Sequence, residues 1–336
     1  MLKLIFGRLL QGLIVLLIVS ALTFALLAAA GGDALTALQS DPLVSEQTIK
    51  ELRRTYGLDQ PLHVRYLRWL TDLIQGRMGQ SFFYKAPVGT IVRSRLGNTL
   101  YLAITALFFA WAIALMLGAM AARRARGSWI DRLCSVVILL AASTPRIVLA
   151  LVALAVAVRT SLFNVGAASM PSEESAASSL ARLLVPALVL SVPLIALFLA
   201  QVREGLRTAL SEEFVQVARA KGLAERVVIF RHALRAALNP LITIFGYSLG
   251  GVVSGSVIVE TVLGWPGLGQ LSVIAVRNRD APLLMGVMLV TATAVLVGNL
   301  VADILLRLND PRLGEEERES AGTSNAEQRA HVPAGS

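Results

Sequence analysis

Long runs of apolar residues constrain this chain more than any other feature. Residues 9–30 contain no charged side chain, and comparable runs recur near 98–121, 133–157, 183–202, 238–259 and 283–306. About 20 apolar residues in a helix cover a ~30 Å hydrocarbon core. Only 16% of the 336 residues are charged and 55% are hydrophobic, whereas a soluble domain carries about a quarter charged residues. The expected fold is therefore all-α, a polytopic membrane protein with six transmembrane helices. The N-terminal run is longer than the ~7–15 residues of a signal-peptide core. It reads as an uncleaved first span, although Ala28-Ala29-Ala30-Gly31 resembles a cleavage site.

The chain divides accordingly. Residues 1–30 hold the N-terminal end and the first span, 31–96 an external helical segment, 97–306 a five-helix core, and 307–336 a disordered tail rich in Gly, Ser and Glu. An even number of spans leaves both termini on one side. Arginines crowd 123–132, and 203–237 carries Arg203, Arg207, Arg219, Lys221, Arg226, Arg231 and Arg235; 158–181 holds only Arg159. Positive charge favours the cytoplasmic side, so both termini are expected inside. This asymmetry also accounts for the formal net charge of +9. Nucleic acid is not an expected partner, since the basic residues lie in short loops without interleaved aromatics.

In the external segment, Ser45 is positioned to cap a helix that Gly57 ends, and Pro61 opens a second helix ended by Gly76. The pair reads either as a packed cap or as a docking surface. Gly246, Gly250 and Ser254 recur every four residues in the fifth span. That spacing allows close helix packing, or lines a sliding interface or pathway. Arg146 lies halfway along the third span beside Pro145. An ionisable residue at that depth faces a polar cavity by default; the other readings are a broken span, or a partner chain supplying its counter-charge.

No catalytic constellation is present. His63, His232 and His331 lie in separate segments, the single Cys134 sits in an apolar run, and no phosphate-binding Gly-x-x-x-x-Gly-Lys-Ser/Thr loop occurs. The chain is not expected to hydrolyse ATP, to bind a metal or to act as an enzyme. A self-contained carrier would require internal repeats or mid-membrane acids, and an intramembrane enzyme paired reactive groups; neither is visible.

The most informative segment is 203–237. A first short helix is predicted over about 212–220, stopping at Lys221-Gly222. A second places Val227, Phe230, Leu234 and Ala237/Leu238 on one stripe, and Pro240 then opens the fifth span. A charged helical hairpin projecting from a membrane bundle suits docking into a groove on a soluble partner.

The hairpin residues Glu213, Gln216, Ala218-Arg219-Ala220-Lys221-Gly222-Leu223, His232, Arg235 and Pro240 resemble the ATPase-coupling loop of the dipeptide/oligopeptide/nickel family of ABC importer permeases. Leu52-Arg53, Gly57-Leu58-Asp59-Gln60-Pro61-Leu62, Arg65-Tyr66, Trp69-Leu70, Gly79-Gln80-Ser81, Pro87-Val88, Arg95-Leu96 and Thr99-Leu100 match its N-terminal block. Glu260-Thr261, Trp265-Pro266-Gly267-Leu268-Gly269, Arg279-Asp280 and Asp310-Pro311-Arg312 match its last third. The resemblance covers nearly all of the chain except the tail. It implies a type I importer permease fold in a bacterial inner membrane, of the B-type. Implied partners are a second homologous permease, two ATPase subunits that bind ATP-Mg in place of this chain, and an extracytoplasmic solute-binding protein. Implied cargoes are peptides, glutathione or nickel chelates. Gln216 stands where the generic loop has Glu, Asn239 precedes Pro240 where an aliphatic residue is commoner, and Arg146 replaces a position usually small or apolar. Arg146, Gly246, Gly250 and Ser254 are the candidate pathway residues.

Overall fold

A computed structural model describes residues 2–31, 45–55, 57–160 and 176–309. Most of the expected tail, most of the 158–181 loop and the Asp310-Pro311-Arg312 match lie outside them. The described residues form helices, apart from one bridge between Gln80 and Pro87. In chain order these are α1 (Leu2–Ala29), α2 (Glu46–Thr55), α3 (Leu62–Ile74), α4 (Val88–Ala122), α5 (Trp129–Ser143), α6 (Arg146–Thr160), α7 (Ala176–Ser211), α8 (Glu213–Ala220), α9 (Leu234–Leu263), α10 (Leu268–Arg277) and α11 (Ala281–Asn309). Five are long and apolar enough to cross a membrane, and the bent pair α5–α6 makes a sixth candidate.

The core forms where α4, α7 and α9 meet. Trp111 of α4 lies between Phe198 of α7 and Phe245 of α9, with ring centroids 5.0 and 6.0 Å away. Ala103, Ala106, Ala110 and Ala114 keep one face of α4 smooth and buried, and Gly118 has no room for a Cβ beside Val202. Small side chains let the backbones approach, which replaces the hydrophobic drive that lipid cannot supply. Most of α1 stays exposed and apolar, as a lipid-facing helix must. It packs along α11, with Gly12 against Leu296 and Arg8 paired to Asp303 at 2.7 Å.

Two expected boundaries need correction, and the third span takes its broken reading. The second span begins at Val88, ten residues before 98, because its first turns are amphipathic: Val88 and Val92 are buried while Arg93 is exposed. Hydropathy averaging discards such turns. The fourth span continues to Ser211, taking Arg203 and Arg207 into the helix. Both arginines donate to Asp131 Oδ1, at 3.3 and 2.8 Å, and bind α7 to the start of α5. The third span is not continuous. It breaks at Thr144-Pro145, and α5 and α6 meet at 97°. Proline disfavours helical geometry in the residue before it, and Thr144 is extended at φ −86°, ψ 119°.

Gly246 faces Ala302 and Gly250 faces Val295, so the contact between α9 and α11 leaves no room for side chains there. Gly246→Val is expected to destabilise the protein by about 1–3 kcal/mol through overpacking, read as a lower unfolding temperature in detergent. Gly251→Ala is the control. Its added methyl meets nothing within 4 Å, so the midpoint should not move.

Candidate functional site

The expected hairpin exists, with a different second arm. Helix α8 runs Glu213–Ala220 and buries Val215 and Ala218 against the bundle. It ends at Gly222, whose φ of +75° lies in the left-handed region. Gly222 N donates to Arg219 O at 2.9 Å and Leu223 N to Ala218 O at 3.4 Å. These are the paired bonds of a Schellman stop, which favours glycine at this place. Across the turn, the Arg219 guanidinium donates to both carboxylate oxygens of Glu225, at 2.8 and 3.3 Å. That contact holds Glu225 below its ordinary range and raises Arg219. The clasp is therefore fully formed above the unfolded carboxylate pKa, and it weakens as pH falls through the lowered value.

The second arm is not a separate helix, although the apolar span does begin at Pro240 as expected. One α-turn, Glu225–Val227, passes into a π-helical stretch, Val228–Ala233, and then into α9, which runs through Pro240 without a break. The wider π turn shifts the helix face by about one residue. The buried stripe is accordingly Ile229, Ala233, Ala237 and Leu241, with Val228 also covered; Val227 is 36% exposed and Leu234 only half-buried. The side chains of Phe230 and Leu238 lie outside what the structure describes. His232 is half-buried, whereas Arg235 and Pro240 are exposed.

Anchored on this face, the hairpin presents another. Phe214, Val217 and Leu223 are each 40% exposed or more, and Glu213, Gln216, Arg219, Ala220, Lys221 and Gly222 surround them in the open. A small apolar patch with a charged rim is the form of a protein-docking surface. It sits near the end of the bundle where Asp131 meets Arg203 and Arg207.

The opposite end is held by two buried carboxylates. Glu260 of α9 is fully buried; its Oε1 accepts from Thr99 Oγ1 at 3.0 Å and Ser256 Oγ at 2.8 Å, and its Oε2 from Gln270 N at 3.0 Å. Gly267 and Gly269 leave no room for a Cβ beside it, so the Gly-rich turn exists to let backbone close on this side chain. Asp280, also fully buried, accepts from Ser81 Oγ at 2.6 Å, Phe83 N at 3.0 Å and Leu283 N at 3.1 Å. It ties the segment before α4 to the start of α11. Trp265 adds to this closure, its Nε1 donating to Asn98 O at 3.1 Å. Sequence reasoning singled out Glu260, Thr99 and the glycines only as parts of the family match and missed this role.

Helices α2 and α3 complete this end. Ser45 Oγ accepts from Thr48 N at 3.2 Å as the expected cap. Tyr66 meets Ser20 of α1 at 2.9 Å and packs on Phe24. Among the candidate pathway residues, Gly246 and Gly250 face α11 and serve packing, Ser254 is exposed, and the Arg146 guanidinium lies on Gly255. Among the described residues no group of His, Cys, Asp and Glu could hold a metal ion.

Residues 1–103 match the family described as the N-terminal part of binding-protein-dependent transport system membrane components, and residues 114–315 match the inner membrane component itself. The oligopeptide transport system permease protein AppB of Bacillus subtilis is 35% identical, with 92% of this chain and 98% of that one covered. A putative peptide permease protein of Brucella suis is 36% identical, covering 93% and 99%. The glutathione transport system permease protein GsiC of Salmonella paratyphi A is 33% identical over the same shares. In fold, the structure resembles a chain of the MetNI methionine ABC transporter solved in inward-facing conformations, with a TM-score of 0.53 at 19% identity, covering 65% of this chain and 96% of that one.

Proposed function

Since the chain belongs to the family of binding-protein-dependent transport system inner membrane components, we propose that it forms half of the translocation pathway of a peptide importer and is moved by separate ATPase subunits. The observation that carries this is the hairpin: one face is anchored in the bundle by Val215, Ala218, Val228 and Ile229, and the other leaves Phe214, Val217 and Leu223 uncovered. A handle built this way transmits force. A partner that grips the uncovered face moves α7 and α9 through the anchored one, and rigid-body motion of the bundle alternates access.

The assembly comprises this chain, a second homologous permease, two ATPases that bind ATP-Mg, and an extracytoplasmic binding protein that docks on the α2–α3 block. The chain itself carries no cofactor and no catalytic site. Both termini face the cytoplasm of a bacterial cell, on the same side as the hairpin, and the bundle is enclosed by the lipid bilayer. Peptides are favoured as cargo by the names of the AppB and Brucella relatives; glutathione is the second reading, favoured by GsiC. Gentle affinity purification tests the assembly. Two ATPase copies and a second permease should co-purify and give ATP-dependent uptake in liposomes; uptake by the isolated chain, with no ATPase, would refute it.

A further inference from the structure

 Among the described residues, acids in the bundle pair with Arg8, Arg203 and Arg207, but none pairs with Arg146. The described residues of the spanning helices α1, α4, α5, α6, α7, α9 and α11 hold four acidic residues: Asp131, Glu204, Glu260 and Asp303. Each is engaged elsewhere. Asp131 meets Arg203 and Arg207, Glu204 meets Arg126, Asp303 meets Arg8, and Glu260 is enclosed by Thr99, Ser256 and Gln270. Among the described residues Arg146 makes no hydrogen bond or ion pair. Its depth follows from two independent lengths. Helix α5 has 15 residues, about 22 Å at 1.5 Å per residue, so the break before Arg146 falls inside a ~30 Å apolar layer. Gly255, which the guanidinium covers, stands fifteen residues after Pro240, where the apolar span within α9 begins, giving the same ~22 Å.

The guanidinium does not turn toward lipid. It lies on α9, and the missing Cβ of Gly255 makes the space for it. One helical turn earlier on the same face, Gly251 is exposed and has nothing within 4 Å of a Cβ position. Ser254 and Ile258 are exposed beside it. An unpaired cation therefore borders an open stretch of helix at membrane depth, where an unmatched charge is costly. We infer that Arg146 and the open space at Gly251 form an anion-binding position on the translocation path, which takes a carboxylate of the transported solute. This rests on the transport reading above. Guanidinium suits the task, since its planar donors match a carboxylate in two-pronged fashion.

The test uses the assembled transporter in membrane vesicles, with Cys134→Ala to remove the native thiol and Gly251→Cys as reporter. Its rates with an anionic reagent, methanethiosulfonate ethylsulfonate, and with the cationic trimethylammonium analogue are compared. The anionic reagent should react at least about tenfold faster, relative to a free thiol, and Arg146→Met should abolish that preference. Equal rates with Arg146 present, as when a partner subunit's acid neutralises it, overturn the anion position and leave the transport reading standing. Failure of both reagents to react overturns the anion position, while ATP-dependent uptake by the same vesicles tests the transport reading separately. A set of tripeptides, each as free acid and as C-terminal amide, supplies the second readout. The acids should accumulate preferentially, and Arg146→Met should reduce that preference; equal accumulation of the two forms, or of neither, overturns the carboxylate assignment.

Discussion

Glu260→Ala is expected to destabilise the protein by on the order of 4 kcal/mol, the largest effect foreseen for one side chain outside the hairpin. The carboxylate collects donors from three places in the sequence: Thr99 on α4, Ser256 on α9 itself and Gln270 N in the first turn of α10. Alanine removes all the acceptors. The hydroxyls can rotate, and Thr99 Oγ1 already accepts from Leu268 N at 2.8 Å. The Gln270 amide cannot turn away. A stranded buried donor costs about 1–3 kcal/mol, and a cavity adds to that. Glu260→Gln keeps one acceptor and sets an NH2 group against donors, so it should lose roughly half as much. The measurement is thermal unfolding in detergent followed by tryptophan fluorescence, for which Trp265 is well placed. A midpoint unchanged in Glu260→Ala would mean that the carboxylate does not hold this end together.

Gly222→Val is expected to leave the bundle intact and to lower ATP-driven uptake by at least about tenfold. Nothing lies within 4 Å of a Cβ at this position, so no clash arises, but φ is +75°. A β-branched residue is a conformational outlier there, and holding it costs about 1–3 kcal/mol. The strain is relieved by opening the Schellman turn, which moves α8 relative to Glu225 and displaces Phe214, Val217 and Leu223 together. Membrane insertion and unfolding temperature should stay near those of the parent, because Gly222 makes no core contact. The matched variant Gly222→Asn, a residue that tolerates left-handed geometry, should recover much of the uptake. Full uptake by Gly222→Val would show that the shape of this turn does not matter to coupling.

The two variants separate two requirements. Glu260 acts at the end where α4, α9 and α10 converge, so its loss should reduce stability before it reduces coupling. Gly222 acts at the end that a motor would grip, and its loss should do the reverse. At both ends glycine serves geometry: at 222 a left-handed backbone, at 267 and 269 room for the Glu260 side chain.

The sequence by itself determined that this is a helical membrane bundle, where the apolar centres of its spans lie, and that a hairpin stopped at Gly222 interrupts it. Those features are local: apolar length, charge along the chain, and the backbone freedom of one residue. Only the tertiary structure decided the rest. The break at Pro145 could be read as a kink or as an end until α5 and α6 were seen to meet at 97°. The buried face of the second arm shifted because a π turn, which leaves no mark in apolar spacing, changes the phase of every residue after it. Glu260 and Thr99 lie 161 residues apart, Asp280 and Ser81 199 apart, and Arg146 faces Gly255 across two helices. Such contacts depend on which helix faces overlap once the backbones approach at small residues, and a property of pairs of faces is not written in either face alone.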